Sequence, residues 1–356
     1  MELRRTAKLI LEDGSVFSGF SFGSDRIAHG EVVFNTGMIG YPEMLTDPSY
    51  HGQILTLTYP LIGNYGVPSH KTNDEILRFF ESEKIQVDGL IIADYSDQYS
   101  HWNAQKSLAE WLFENDVPAI YGVDTRALTQ TLRSNGTMLG KIIYGSDRTK
   151  FYDPNAINLA ASVSVAKPVL YKRGKSRILV VDCGTKSSII RAFLHRGYTV
   201  KRVPWNFDFT RETVDGIVLS NGPGDPKKCT ETISNVAYLL SKDIPILGIC
   251  LGSQILALAA GADTYKLKYG HRSQNQPCIE VGTNRCYITS QNHGYAVDAD
   301  SLPQDWREWF YNGNDQTNEG IMHISKPFFG AQFHPEASPG PDDTEFVFDL
   351  FVRAMK

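Results

Sequence analysis

Residues 244–261 read IPILGICLGSQILALAAG. An apolar run ends in Cys250, which sits between Gly248 and Gly252. Beyond it, LGSQILALAAG keeps apolar residues at helical spacing and stops at Gly261. The stretch reads as a buried strand turning sharply into a helix. The same rhythm precedes it. RILVVDCG (177–184) is a strand, KSSIIRAFLHRG (186–197) a helix and TVKRVPW (199–205) a strand. VDGIVLSNGPGDP (214–226) is a strand running into a Gly/Pro turn, and TETISNVAYLLSK (230–242) is a helix. Strands alternating with helices imply an α/β domain, a mostly parallel sheet with helices on both faces. Binding sites in such sheets lie at the carboxyl ends of the strands, where Cys250 and the NGPGDP turn both fall.

The local pattern around Cys250 is that of a nucleophile elbow, with cysteine in the place serine takes in hydrolases. A helix N-terminus favours the thiolate, the attacking species. The opposing reading is a small hydrophobe in a buried strand, as most cysteines in apolar runs are. This stretch alone leaves the two even. A partner base decides between them. His334 and Glu336 flank Pro335 in FFGAQFHPEASPGP (328–341). In an extended segment residues i and i+2 share a side, so Glu336 would hold one imidazole nitrogen while the other faces the sulfur. In LSNGPGDP (219–226), Gly222 and Gly224 leave backbone N–H groups uncovered, a cradle for an oxyanion.

The first half is of mixed α/β character. KLILEDGSVFSGF (8–20) is a hairpin around Asp13-Gly14. EVVFNTG (31–37), QILTLTY (53–59), VDGLIIADY (87–95) and AIYGV (119–123) read as strands. NDEILRFFESEK (73–84), capped by Asn73 or Asp74, and QKSLAEWLFEND (105–116) read as helices. DTRALTQTLRSNG (124–136) is a helix capped by Asp124 and stopped by Gly136. GTMLGK (136–141) has the wrong spacing for a phosphate loop and reads as a helix stop followed by a strand. Between 153 and 176 the period fades. The expected organisation is an N-terminal domain over 1–165, a linker over 166–176 and a C-terminal domain over 177–356.

The 356 residues include 42% apolar and 21% charged residues, and the net charge is −5. No basic stripe argues for nucleic acid, and no apolar run reaches the roughly 20 residues a membrane helix needs. No apolar stretch of signal-peptide length opens the chain, so a cytoplasmic location is the default expectation. Five cysteines without a CxxC pair, and nine histidines without HExxH, give little support to disulfides or metal. No metal and no cofactor are expected.

Taken together, GICLGSQ (248–254), SNGPGDP (220–226) and QFHPE (332–336) resemble the motifs of the class I, triad-type glutamine amidotransferases. GEVVFNTGMIGYPEMLTDPSYHGQIL (30–55), YPLIGNYGVP (59–68) and GVDTRALTQTLR (122–133) are similar to the N-terminal domain of the carbamoyl-phosphate synthetase small chain. YGHRSQNQPC (269–278) and TSQNHGYAV (289–297) extend the resemblance over essentially the whole chain. Among relatives it most resembles the glutaminase region of the multifunctional eukaryotic pyrimidine-pathway protein.

The resemblance implies a glutaminase that hydrolyses L-glutamine through a cysteine thioester. Ammonia would go to a synthetase large chain or to fused synthetase domains. It implies Cys250 as nucleophile, His334 as base and then acid, and Glu336 as its orienting group. Leu251 and Gly222 would supply oxyanion N–H groups, and Ser49, Gly224, Gln254, Asn292, Gly294 and Tyr295 would contact glutamine. One position departs from the family. Ser253 stands where the family reads histidine in C-L-G-H-Q. A catalytically weakened module that regulates the synthetase is the alternative this departure keeps open.

Overall fold

The computed structural model describes residues 5–73, 76–146 and 149–355. They form two compact units that divide between Ala156 and Ile157. In the first, seven strands close into a barrel. These are β1 (Thr6–Leu11), β2 (Val16–Ser21), β3 (Ala28–Asn35), β4 (Gln53–Leu57), β5 (Gly89–Ile91), β6 (Ala119–Tyr121) and β7 (Met138–Ile143). They run in the order β1-β7-β3-β4-β5-β6-β2, and β2 pairs back onto β1. The β1–β2 hairpin turns at Asp13-Gly14, where Gly14 takes φ +88°. Three helices accompany the barrel: α1 (Tyr41–Thr46), α2 (Leu108–Glu114) and α3 (Thr125–Asn135). Ser107 and Glu110 form a capping box on α2, and the Asp124 carboxylate caps α3 by accepting the Ala127 N–H at 2.8 Å. GTMLGK contributes to β7, whose Lys141 is buried and donates from Nζ to the Thr149 carbonyl.

The helix expected over 73–84 does not form. Thr72–Asn73 and Ile76–Leu77 pair as a two-stranded ribbon, and turns follow. Asp74, the alternative cap, and Glu75 lie outside the described residues. Tertiary contacts take the place of the helix. Phe80 packs on Trp111 with ring centroids 5.3 Å apart, and Leu77 joins the same buried cluster. The Glu81 N–H donates to Thr46 Oγ1 at 2.9 Å, and Ser82 Oγ donates to the Thr46 carbonyl at 2.6 Å. The chain's polar groups are thus satisfied by the end of α1.

The second unit opens with a short helix, α4 (Leu159–Val163). Its ten-stranded sheet comprises β8 (Val169–Tyr171), β9 (Arg177–Asp182), β10 (Thr199–Pro204), β11 (Gly216–Leu219), β12 (Ile246–Ile249), β13 (Thr264–Glu280), β14 (Cys286–Val297), β15 (Trp306–Asn312), β16 (Asn318–His323) and β17 (Phe328–Ala331). The order is β8-β10-β9-β11-β12-β17-β16-β15-β13-β14. From β10 to β17 the neighbours are parallel; the others are antiparallel. β8, the antiparallel edge, lies within the stretch expected to be a linker.

Four further helices cover both faces: α5 (Ser187–His195), α6 (Thr230–Leu239), α7 (Leu251–Ala260) and α8 (Phe346–Ala354). Alternation along β9 shows why. Ile178 and Val180 join Phe193 of α5 and Phe348 of α8, while Leu179 and Val181 join Val236 of α6 and Ile255 of α7. A strand apolar at every position is buried on both sides.

Candidate active site

Cys250 ends β12 and opens α7 with φ 53° and ψ −108°. A side chain at positive φ is strained, and such strain persists only where the surroundings enforce it. Three contacts do so here. The Cys250 N–H donates to the Ala331 carbonyl at 2.8 Å, continuing the β12–β17 ladder. A Cβ on Gly252 would collide with the Leu219 carbonyl, and one on Gly248 with the Gly252 carbonyl. Glycine is therefore required on both sides for the backbones to approach. The thiol donates to the Asn292 carbonyl at 3.6 Å.

His334 follows β17, the parallel neighbour of β12. Its N–H donates to the Ser290 carbonyl at 2.9 Å, which ties it to β14. Its Nδ1 lies 2.6 Å from Glu336 Oε1. The carboxylate arrives there through a turn and not along an extended segment: the Ala337 N–H donates to the His334 carbonyl at 3.0 Å. Pro335 lies within that turn and Glu336 folds back on its own histidine. His334 Nε2 is buried and has no hydrogen-bond partner among the described residues, and the charge of a Cys250 thiolate would help hold its proton. Burial by itself would lower the imidazole pKa. The Glu336 carboxylate overrides this, opposed by Lys186 and helped by Cys250, and raises it to about 10.

A fourth residue completes the cluster, and the sequence reading missed it. Lys186 Nζ lies 3.0 Å from Glu336 Oε1 and donates to the Ala337 carbonyl at 2.7 Å, with both charged side chains buried. Burial pushes the Glu336 carboxyl up, but the Lys186 ammonium and then His334 bring it down to about 2. Lys186 is set by the turn after β9. Asp182 Oδ1 accepts the N–H groups of Gly184 and Thr185 at 3.0 and 2.7 Å, and Asn221 Oδ1 accepts that of Lys186 at 3.1 Å. A signal was present: Lys186 is the N-cap of α5, where the helix dipole disfavours a cation.

Asn221 begins the turn that bears Gly222 and Gly224. A Cβ on Gly222 would overlap the Cys183 carbonyl and come within 2.8 Å of Leu251 Cδ2. The two candidate oxyanion donors, Gly222 and Leu251, are therefore neighbours. Gly224 takes φ +85°. Gln254 is buried on α7, and its Nε2 donates to the Tyr295 carbonyl at 2.7 Å and to Gln332 Oε1 at 2.9 Å. That bond ties α7 to the Asn292–Gly294–Tyr295 segment of β14. Ser49 belongs to the first unit, buried in the 48–50 turn, where its N–H donates to Asp47 Oδ1 at 2.9 Å. Ser253 is fully buried. Its Oγ has no hydrogen-bond partner among the described residues and lies 2.5 Å from where a Cβ on Gly330 would stand. It faces the floor of β17.

Comparison with known proteins finds relatives for both units of the chain. Residues 179–354 match the family described as glutamine amidotransferase class-I, and residues 9–142 match the carbamoyl-phosphate synthase small chain, CPSase domain. The multifunctional protein URA2 of Saccharomyces cerevisiae is 49% identical over 391 residues, covering 99% of this chain and 18% of that protein. The mitochondrial carbamoyl-phosphate synthase [ammonia] of Homo sapiens is 50% identical over 357 residues, covering 99% of this chain and 24% of its own length. The chain thus spans less than a quarter of either relative. A crystal structure of a glutamine amidotransferase from Thermotoga maritima aligns with 45% of this chain and 76% of its own, 24% identical, with a TM-score of 0.38. The chain belongs to the carbamoyl-phosphate synthase small-chain family, and its second half is a class I glutamine amidotransferase domain.

Proposed function

We propose that the chain hydrolyses L-glutamine to glutamate and ammonia, with Cys250, His334 and Glu336 as its triad. The observation that carries this reading is the strained Cys250 elbow, paired through one strand ladder with a histidine whose other nitrogen is held by Glu336. Proton transfer from the sulfur to His334 Nε2 yields a thiolate–imidazolium pair, which Glu336 stabilises. The thiolate attacks the carboxamide carbon, and the N–H groups of Leu251 and Gly222 receive the oxyanion. Imidazolium gives its proton to the departing nitrogen, and ammonia leaves. Water then attacks the γ-glutamyl thioester with His334 as base, releasing glutamate and restoring the thiol. Gly224, Gln254, Asn292, Gly294 and Tyr295 are the proposed glutamine contacts. The ammonia goes to a carbamoyl-phosphate synthetase, as a separate large chain or as fused domains, and the reaction belongs in the cytoplasm.

The test is glutamate release from glutamine by the chain and by Cys250→Ala, each with and without a synthetase partner. Loss in the variant, together with selective labelling of Cys250 by a glutamine-analogue electrophile, is the expected result. Absence of release from the unaltered chain in both conditions would reject the glutaminase and leave a regulatory module.

A further inference from the structure

The antiparallel half of the second unit holds a buried group of donors that the triad does not use. His271 of β13 and His293 of β14 stand directly opposite each other in the ladder, with ring centroids 5.0 Å apart. Glu319 of β16 is fully buried beside them. One ligand atom from each of the three lies within 4.8 Å of the others. We propose that His271, His293 and Glu319, joined by Gln291, form a binding site for a divalent transition-metal cation of the zinc class.

Three features support it. First, each imidazole is oriented by a partner on its outer nitrogen. His271 Nε2 lies 2.9 Å from Asp315 Oδ2, and His293 Nδ1 lies 2.8 Å from the Tyr295 carbonyl. A carboxylate or carbonyl behind the ring is how metal-bound histidines are fixed, leaving the inner nitrogen to the metal. Second, the inner atoms are at ligand spacing. His271 Nδ1 lies 3.1 Å from Glu319 Oε1, and His293 Nε2 lies 3.9 Å from the same oxygen. Tetrahedral zinc with bonds of about 2.0–2.1 Å separates its ligands by about 3.3 Å, so small shifts suffice.

Third, Glu319 Oε2 is buried and has no hydrogen-bond partner among the described residues, an acceptor that a cation would satisfy. Its Oε1 also accepts from Asn312 Nδ2 at 3.2 Å, and Gln291 Oε1 lies 3.2 Å from His293 Nε2.

The pattern escapes the sequence because its ligands come from three strands and are 22 and 26 residues apart, not on one helix.

The test is made on the full chain carrying Cys250→Ala, which removes the triad thiol as a competing soft ligand. Zinc is titrated against a chromophoric chelator, and X-ray absorption reads its ligand shell. We expect one zinc per chain in a shell of nitrogen and oxygen without sulfur, with affinity falling about 10-fold or more in Glu319→Gln. No stoichiometric zinc, a sulfur-containing shell or unchanged affinity in Glu319→Gln overturns the proposal. The shell needs no further variant, so the test stands even if Glu319→Gln folds poorly. Its outcome is independent of the glutaminase reading.

Discussion

Ser253 and Lys186 stand on either side of the proposed nucleophile and answer differently to substitution. Ser253 buries a hydroxyl with no partner among the described residues against Gly330. Removing an unsatisfied buried hydroxyl is close to neutral or stabilising, so Ser253→Ala should leave Tm unchanged or raise it. An imidazole there meets the β17 backbone. Ser253→His should destabilise by about 1–3 kcal/mol through overpacking, while turnover changes by less than about 10-fold. Thermal melts and steady-state glutaminase rates read the two effects separately. Lys186→Met strips Glu336 of a buried cation. Removing one partner of such a pair costs about 3–5 kcal/mol. The Glu336 pKa then rises, and the acid limb of the rate profile should move to higher pH. An unmoved limb would show that His334 alone holds the carboxylate. Cys250, His334 and Glu336 were legible in the sequence because their chemistry sits in short motifs. Lys186 carried only a weak mark, a cation at the start of a helix, because its partner is 150 residues away and only folding joins them.

At the level of elements, the two elbow glycines are set by backbone approach. Gly252→Ala places a methyl group inside the Leu219 carbonyl. The strand and helix must separate, at a cost of about 3 kcal/mol or more. Denaturant unfolding should show the loss together with absent glutamate release; a variant of native stability would mean that the helix tilts freely. The β-α rhythm from 177 to 261 was readable because most of its strands are apolar runs and two of its helices stop at Gly197 and Gly261. The 73–84 segment was misread because its helical spacing is real but outcompeted. Phe80 is held by Trp111, and Glu81 and Ser82 by Thr46. The closure of the barrel and the antiparallel half of the second sheet also lay beyond the sequence, since pairing partners far apart in the chain leave no local mark.

For the whole molecule, the buried pair gives stability a definite dependence on pH. His334 is raised from 6.5 to about 10, so its contribution is complete below 6.5 and is lost as pH climbs to 10. Glu336 is lowered from 4.5 to about 2, so its contribution is complete above 4.5 and is lost as pH falls to 2. Both are full only between pH 4.5 and 6.5. The stability gap between the chain and His334→Asn should therefore narrow as pH rises from 6.5 to 10, and melts across that range will show whether it does. Cys250 and His334 hang from adjacent parallel strands, and a single ladder, Ile249 opposite Ala331, sets their alignment. That divides the chain into rigid and elastic lengths. One residue added inside β12 or β17 would part sulfur from imidazole. The turn at Gly282, open on the side where a Cβ would point, should accept added residues. Doubling such a loop costs only about 0.6 kcal/mol. Length variation among descendants of this chain should therefore collect in the long excursion between the two strands and spare the eight residues that align the pair.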